Sequence, residues 1–469
     1  MGAIFRQYLA SAASTLAVAM MAACFTWMEP LMKYFISPES EIPMDTNDTS
    51  WLVSFIEFGE LVMAIPAGIL ADRFGRKTVL LSTGPLCLLA WILILTTRNM
   101  AVLYVVRTIQ GAGVAIVYTV GPMYIAEISE PRIRGQLSGQ FQTMWYVGIL
   151  YSYLTGHFFS YQTYAYACSV LPIVFVLFFS LMPESPYYQL MAEKPKNAIK
   201  SLIWLRATKQ VGEEYQSIKK SVEEDMKSKG GWRDLFATKK DTKSFLIVQT
   251  VCFIKYLNGM PAVVTYATQT FAQSSNGAIK DHELTIGLGV LLIIATFCAA
   301  FVSDSVGRRP LLVYSTLASV VFNIITGTYY FLNQQGYDVS QYSWVMFISV
   351  AGFCTVSNIG LGPLMQTIQA EYFPSHTRGI GSGITGISAS ISTFINLKQY
   401  QTVEDIAGVY MNFWIFAFFS FLGTIFMYVV LPETAGKSLG QIQQEFGSTE
   451  KMDSAGKIEN SLKEDSTKV

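Results

Sequence analysis

Twelve long apolar runs, separated by short polar turns, constrain this chain more than any other feature. They fall at residues 9–36, 51–71, 78–97, 101–125, 137–158, 163–182, 244–271, 284–303, 310–332, 343–370, 380–398 and 405–431. Each exceeds the roughly 17 residues that an α-helix needs to cross the hydrocarbon core of a bilayer. Lipid offers a backbone no hydrogen bonds, so spanning segments are confined to helices and closed barrels. Composition agrees: 51% of residues are hydrophobic and 14% charged, against about 25% charged in an average soluble protein. Net charge is +0, so no global electrostatic footprint for nucleic acid exists. The expected fold class is an all-α membrane protein.

Lys and Arg placement orients the spans. Arg73, Arg76, Lys77, Arg132, Arg134, Arg308, Arg309 and Arg378 fall on one side, together with the highly charged segment 187–243. The opposite side carries Arg98, Lys280 and the acidic loop 37–50. Both termini and the 187–243 segment are therefore expected in the cytoplasm. The outer loop holds the sequon Asn47-Asp48-Thr49, which makes Asn47 a candidate glycosylation site. The first span is read as a retained helix rather than a cleaved leader, because its apolar run is too long and only Arg6 precedes it. Within 187–243, Ala198, Leu202 and Leu205 share one helical face, and "EEYQSIKKSVEEDMKSK" also reads as an amphipathic helix. The polar tail 447–469 is expected to be disordered.

An internal repeat is the sharpest signal. Asp72-Arg-Phe-Gly75-Arg76-Lys77 follows the second span, and Asp304-Ser-Val-Gly307-Arg308-Arg309 follows the eighth. Glu127 stands seven residues before Arg134-Gly135, after the fourth span, and Glu371 seven before Arg378-Gly379, after the tenth. A feature repeated six helices later implies two pseudo-symmetric six-helix bundles, at 1–186 and 244–446, joined by a helical linker at 187–243. The Gly lets two helices turn tightly. The acids and arginines form inter-helix ion pairs at the membrane face, which biases the balance between inward-open and outward-open states. Positive-inside anchoring alone accounts for the arginines but not for the recurring Asp, Gly and Glu.

The motifs GILADRFGRK, PMYIAEISEPRIRG, PESPYY, DSVGRRPLL, AEYFPSHTRG and LPETAGKSL carry a resemblance. The chain resembles the sugar porters of the major facilitator superfamily over residues 68 to 439, and within them it is most similar to the branch of insect facilitated trehalose transporters. The resemblance implies a plasma-membrane carrier of a hexose or trehalose, working by alternating access between two bundles. It implies a gating set of Asp72, Arg76, Arg107, Glu127, Arg134, Asp304, Arg308, Glu371 and Arg378. It makes Gln142 in the fifth helix a sugar ligand, its amide able to donate and accept. The seventh helix departs from the family's Q-Q-x-S-G-I-N and reads Lys255-Tyr256-Leu257-Asn258-Gly259-Met260-Pro261. In the tenth, the usual P-W pair is replaced by Met365-Gln366. The substrate set expected from this pattern is Gln142, Lys255, Tyr256, Asn258, Tyr266 and Gln366.

Lys255 lies deep in an apolar run, where an unpaired charge costs about 2.5–3.5 kcal/mol on insertion scales. Glu29 in the first helix is its expected partner, with Glu57 and Glu60, one turn apart in the second helix, as alternatives. The slot that holds Asp in proton-coupled sugar porters holds Met28 here, which favours facilitated diffusion. Proton coupling through Glu29, an anionic solute countered by Lys255, and a transport-poor sugar sensor are the alternatives. The six cysteines lie in apolar runs without a CxxC pair and are read as free core thiols. His157, His282 and His376 stand apart, at helix ends or in loops. No metal set, catalytic triad or phosphate loop is visible, so no cofactor, metal, nucleic-acid partner or enzymatic activity is expected.

Overall fold

The computed structural model describes residues 2–130, 132–227, 231–272, 281–373 and 377–433. Its regular structure is helical. The first bundle comprises α1 Gly2–Thr26, α2 Met28–Ile36, α3 Thr46–Ser54, α4 Ile56–Met63, α5 Pro66–Phe74, α6 Arg76–Thr96, α7 Met100–Ile128, α8 Arg134–Phe158 and α9 Tyr161–Ser180. Here α1 and α2 form one span, and α3 to α5 another. The linker carries α10 Pro186–Met191, α11 Pro195–Arg206, α12 Gly212–Lys227 and a 3-10 turn at Trp232–Phe236. The second bundle comprises α13 Lys239–Leu257, α14 Met260–Thr265 and α15 Ala267–Ala272 as one span. It continues with α16 Asp281–Val306, α17 Arg308–Gln334, α18 Ser343–Tyr372, α19 Arg378–Ala407 and α20 Val409–Val430. Among the described residues the spans total twelve, six in each bundle.

The breaks within spans have local causes. Pro66 opens α5 where Thr46–Met63 and Pro66–Phe74 bend by 52°. Gly259, at φ +98°, separates α13 from α14, a backbone state that suits Gly because it lacks Cβ. Among the described residues, ten helical stretches are long and apolar enough to span by themselves, and the bent pair makes eleven. The twelfth is α8, whose Gln136, Ser138, Gln140, Gln142 and Thr143 dilute its hydropathy. It spans nonetheless because α1 and α16 flank it. The eleventh span extends beyond the expected 380–398, to Ala407. Its polar end finds partners inside the bundle: Gln401 donates to Asp405, Gln269 to Gln401 and Glu404, and Asn412 to the Tyr400 carbonyl. The tail 447–469 lies outside the described residues. All six cysteines are free as expected, but Cys298 is exposed rather than in the core.

Close packing inside the first bundle depends on α4 crossing α7. A Cβ on Gly59 would lie 2.1 Å from the Thr108 carbonyl oxygen, and one on Gly111 1.8 Å from that of Ile56. Arg107, fully buried on α7, stabilises two of the breaks. Its guanidinium donates to the Cys24 carbonyl at 2.9 Å, ahead of the α1–α2 break. It also donates to the Leu52 and Val53 carbonyls at 2.9 and 3.0 Å, ahead of the α3–α4 break. Carbonyls left over by an interrupted helix are costly in lipid, and one arginine fork satisfies three of them. In the linker, Ala198, Leu202 and Leu205 are buried, as their spacing predicts, with α11 lying against α1.

The two bundles meet along two seams, α8 with α16 and α3–α4 with α19. The inter-bundle hydrogen bonds among the described residues lie on the side of the membrane that carries loop 37–45, the loop side. Tyr153 donates to the Val264 carbonyl, and Glu29 accepts from the Thr268 amide at 2.7 Å. Lys398 donates to Asn47 at 2.9 Å and to the Ser50 hydroxyl at 3.4 Å, and Ser50 donates to the Lys398 carbonyl at 3.3 Å. On the opposite, linker side, nothing lies within 4 Å of a Cβ placed on Gly135, Gly139 or Gly379, at the starts of α8 and α19. Among the described residues, the hydrogen bonds that join the bundles are thus confined to the loop side.

Candidate functional site

The repeated motifs build two matching clusters at the linker-side end of each bundle. In the first, Gly75 (φ +103°) turns α5 into α6 and brings Arg76 under α7. Arg76, 2% exposed, pairs with Glu127 at 3.0 Å and with Asp72 at 3.1 Å, and stacks over Tyr188. Glu127 also accepts from the Ser185 hydroxyl. Glu184 accepts from the Lys77 amide at 3.0 Å and the Ser185 amide at 2.8 Å, capping α6. Burial pushes the Glu184 carboxyl above its ordinary range, and the amides donating to it offset part of that rise. A Cβ on Gly75 would lie 2.4 Å from Glu184 Oε2, so this turn needs Gly for space as well as for φ.

The second cluster repeats this design more loosely. Gly307 (φ +92°) turns α16 into α17. Arg308 approaches Glu371 at 3.7 Å. Glu433 accepts from the Arg308 and Arg309 amides, both at 3.1 Å. The sequence reading passed over Glu184, Ser185 and Glu433 as individual residues. Their signal is visible in retrospect: Pro183-Glu184-Ser185 and Pro432-Glu433-Thr434 follow the last span of each bundle. The side chains of Asp304 and Arg378 lie outside the described residues. Among the described residues, Arg134 joins no cluster; it is exposed and donates to the Ser129 carbonyl, at 3.5 Å. Arg107 lies within the bundle as the clamp described above, away from the linker-side clusters.

The expected Glu29–Lys255 pair is not formed. Glu29 is buried against the backbone of Thr268, and Lys255 donates to the Gly362 carbonyl at 3.2 Å and sits 5.2 Å from the Tyr256 ring centre. The break before α15 exposes backbone amides, and Glu29 takes one of them in place of a cation. Asn258 is also committed elsewhere: it accepts from the Met260 amide and donates to Ser357, capping the α13–α14 break. Tyr266 is buried in the loop-side closure, stacked on Tyr400 at 4.7 Å and donating to the Leu397 carbonyl. The Gln366 side chain lies outside the described residues. Gln142, Lys255 and Tyr256 remain partly accessible. Around them, Trp145 and Phe141 of α8 pack edge-on to Tyr118 of α7 at 4.9 and 5.3 Å. Tyr118 and Tyr256, one from each bundle, lie within electrostatic range of Glu57 and Glu60. Neither carboxylate has a hydrogen-bond or ion-pair partner among the described residues. The result is a cluster of aromatic rings with a few partly accessible polar groups beside it, the usual constitution of a small-molecule site.

At the loop side, Asn47 lies in the first turn of α3, its side-chain oxygen engaged by Lys398, whose ammonium also sits 4.7 Å from the Trp51 ring centre. His157 and His282, far apart in sequence, are stacked across the α8–α16 seam with ring centres 3.6 Å apart. That corrects the expectation that they stand alone. His376 lies outside the described residues.

Two broken-helix bundles, each with an acid–arginine cluster at one face, have the architecture of the major facilitator fold. The fold matches the proton:xylose symporter XylE bound to 6-bromo-6-deoxy-D-glucose with a TM-score of 0.75. Identity is 20%, over 94% of this chain and 99% of that one. It matches the inward-open conformation of the xylose transporter XylE from E. coli at 0.76, with 21% identity and the same coverage. The chain belongs to the sugar (and other) transporter family, whose profile matches residues 4–446. It is 30% identical over 413 residues to the facilitated trehalose transporter of Anopheles gambiae, covering 87% of this chain and 52% of that one. It is 29% identical to the counterpart from Culex quinquefasciatus, covering 87% and 80%. The chain thus spans about half the length of the Anopheles relative.

Proposed function

We propose that the chain carries a small sugar, trehalose or a hexose, across the plasma membrane by facilitated diffusion. Residues 1–186 and 244–446 rock about the cavity, and 187–243 links them. The linker side is cytoplasmic, as its Lys and Arg content favours. The substrate rests in the cavity against Gln142, Trp145, Tyr118 and Tyr256, where amide and phenol groups meet sugar hydroxyls and the rings cover its apolar faces. The Arg76 and Arg308 clusters set the balance between the two open states.

The observation that carries this reading is the one-sided closure. Inter-bundle hydrogen bonds among the described residues gather at the loop side and none of them joins the bundles at the linker side, as a carrier requires in one half of its cycle. The names of the relatives supply the choice of sugar. The test is uptake of labelled trehalose and glucose into liposomes holding the purified protein, with and without a proton gradient. Saturable uptake that ignores the gradient is expected. Absence of uptake of either sugar by folded protein would overturn the substrate assignment, and dependence on the gradient would overturn facilitated diffusion.

A further inference from the structure

We propose that a groove between the linker's 3-10 turn, α13 and α20 binds one anionic phospholipid of the linker-side leaflet. The groove has a volume of about 590 Å³. Its chemistry changes along its length. Lys239, Thr242 and Lys243, in the first turns of α13, line the mouth, and Leu246 of α13 with Phe426 and Val430 of α20 line the depth. Lys239, Lys243 and Leu246 follow at spacings of four and three, which keeps them on one helical face. The seventh span begins at Lys239, so the lysines stand at the water boundary and Leu246, 57% exposed, faces acyl chains. Trp232, exposed on the linker turn with Arg233 5.3 Å from its ring centre, marks the head-group level beside them.

The charge at the mouth is not neutralised by the protein. Both lysines are exposed, and neither has a hydrogen-bond or ion-pair partner among the described residues. The acids nearest in sequence are committed to the backbone turns: Asp234 accepts from the Gly231 amide and Asp241 from the Thr238 hydroxyl, both at 2.6 Å. A soluble anion would meet the ammonium groups and leave the apolar depth unfilled. A lipid of no net charge would fill the depth and leave the ammonium groups without a counter-charge. An anionic head group above acyl chains satisfies both ends. Each basic residue near an anionic membrane surface raises affinity about fivefold, and the two together about 30-fold. The lipid touches the linker turn and both helices, so it ties the linker to the second bundle and stabilises the fold by mass action.

The test adds dioleoyl phosphatidylserine, dioleoyl phosphatidylcholine or inorganic phosphate to the purified full chain in neutral detergent. Native mass spectrometry reads bound lipid, and thermal unfolding reads Tm. The expected result is retention of one phosphatidylserine with a rise in Tm, phosphatidylcholine binding about 30-fold more weakly, and no response to phosphate. Lys239→Gln with Lys243→Gln should weaken phosphatidylserine binding about 30-fold and abolish the rise, with Tm in plain detergent unchanged. Lys219→Gln with Lys220→Gln, which removes the same charge from exposed pairs on α12, should alter neither. A wild type that holds phosphatidylserine no better than phosphatidylcholine overturns the proposal without any variant. A phosphatidylserine response that survives the Lys239 and Lys243 changes, or falls equally with Lys219 and Lys220, overturns it by placing the lipid elsewhere. A phosphate response equal to that of the lipid overturns it by making the occupant a soluble anion.

Discussion

Replacing Arg76 with Gln is expected to be the most damaging single change at the linker side. The guanidinium is 2% exposed and contacts Glu127 through Nε at 3.1 Å and Nη2 at 3.0 Å. Its other nitrogen serves Asp72 and the Ala71 carbonyl, both at 3.1 Å. The Asp72 side chain is 47% exposed, and such a half-exposed pair contributes about 0–1 kcal/mol at most. The loss therefore falls on Glu127, 14% exposed, which keeps the Ser185 hydroxyl and loses its only cation among the described residues. Stripping one partner from a buried pair costs about 3–5 kcal/mol, and the residual exposure of Glu127 argues for about 3 kcal/mol. Arg308, 23% exposed and 3.7 Å from Glu371, is expected to cost about 1 kcal/mol when changed to Gln. The assay is unfolding of purified protein in detergent, with Glu127→Gln and the double variant completing a cycle. The double variant should be milder than the sum of the singles by about 1 kcal/mol or more. Equal losses at Arg76 and Arg308, or singles that simply add, would refute this reasoning.

Four further outcomes are expected. Lys398→Met removes the bonds to Asn47 and Ser50 and the contact with Trp51, worth about 1–2 kcal/mol together. Thiol labelling at the loop side should rise by about fivefold or more as the closed state weakens. Glu29→Gln and Lys255→Gln should add in stability to within about 0.5 kcal/mol, since their partners are separate; a larger coupling would show that they pair in another state. Gly111→Ala, whose Cβ would meet the Ile56 carbonyl, should lower Tm by the equivalent of about 1–3 kcal/mol or more, while Gly135→Ala, with open space around it, should be nearly neutral. A glycan on Asn47 would stand in the Lys398 contact, so glycosidase treatment should leave electrophoretic mobility unchanged.

The parts legible in the sequence were those written as local patterns. Apolar length placed the spans, and the recurring Asp-x-x-Gly-Arg placed Arg76 beside Asp72 and Glu127, and Arg308 beside Glu371. What escaped depended on helix interruptions and on contacts between distant segments. The Glu29–Lys255 pairing failed because the seventh span breaks and offers the Thr268 amide, a donor that side-chain identities do not reveal. Asn258 looked like a sugar ligand but caps the break beside Gly259. The eleventh helix seemed to stop at Lys398 because the residues after it are polar, yet Gln401, Glu404 and Asp405 find partners within the bundle. Arg107 entered the gating set through the family resemblance, which does not show the helix breaks beside it. Three backbone carbonyls orphaned by helix breaks satisfy it instead. The stacking of His157 on His282 follows from the register of α8 against α16, which no run of sequence encodes.

Alternating access about the central cavity is tested most directly by two distances followed together. One pair of spin labels, at Glu39 and Tyr337, spans the loop side; another, at Ser138 and Gly379, spans the linker side. Saturating trehalose or glucose should lengthen part of the loop-side distribution while shortening a matching part of the linker-side one. Distances that stay fixed under a sugar shown to bind, or that move in the same direction on both sides, would contradict the account.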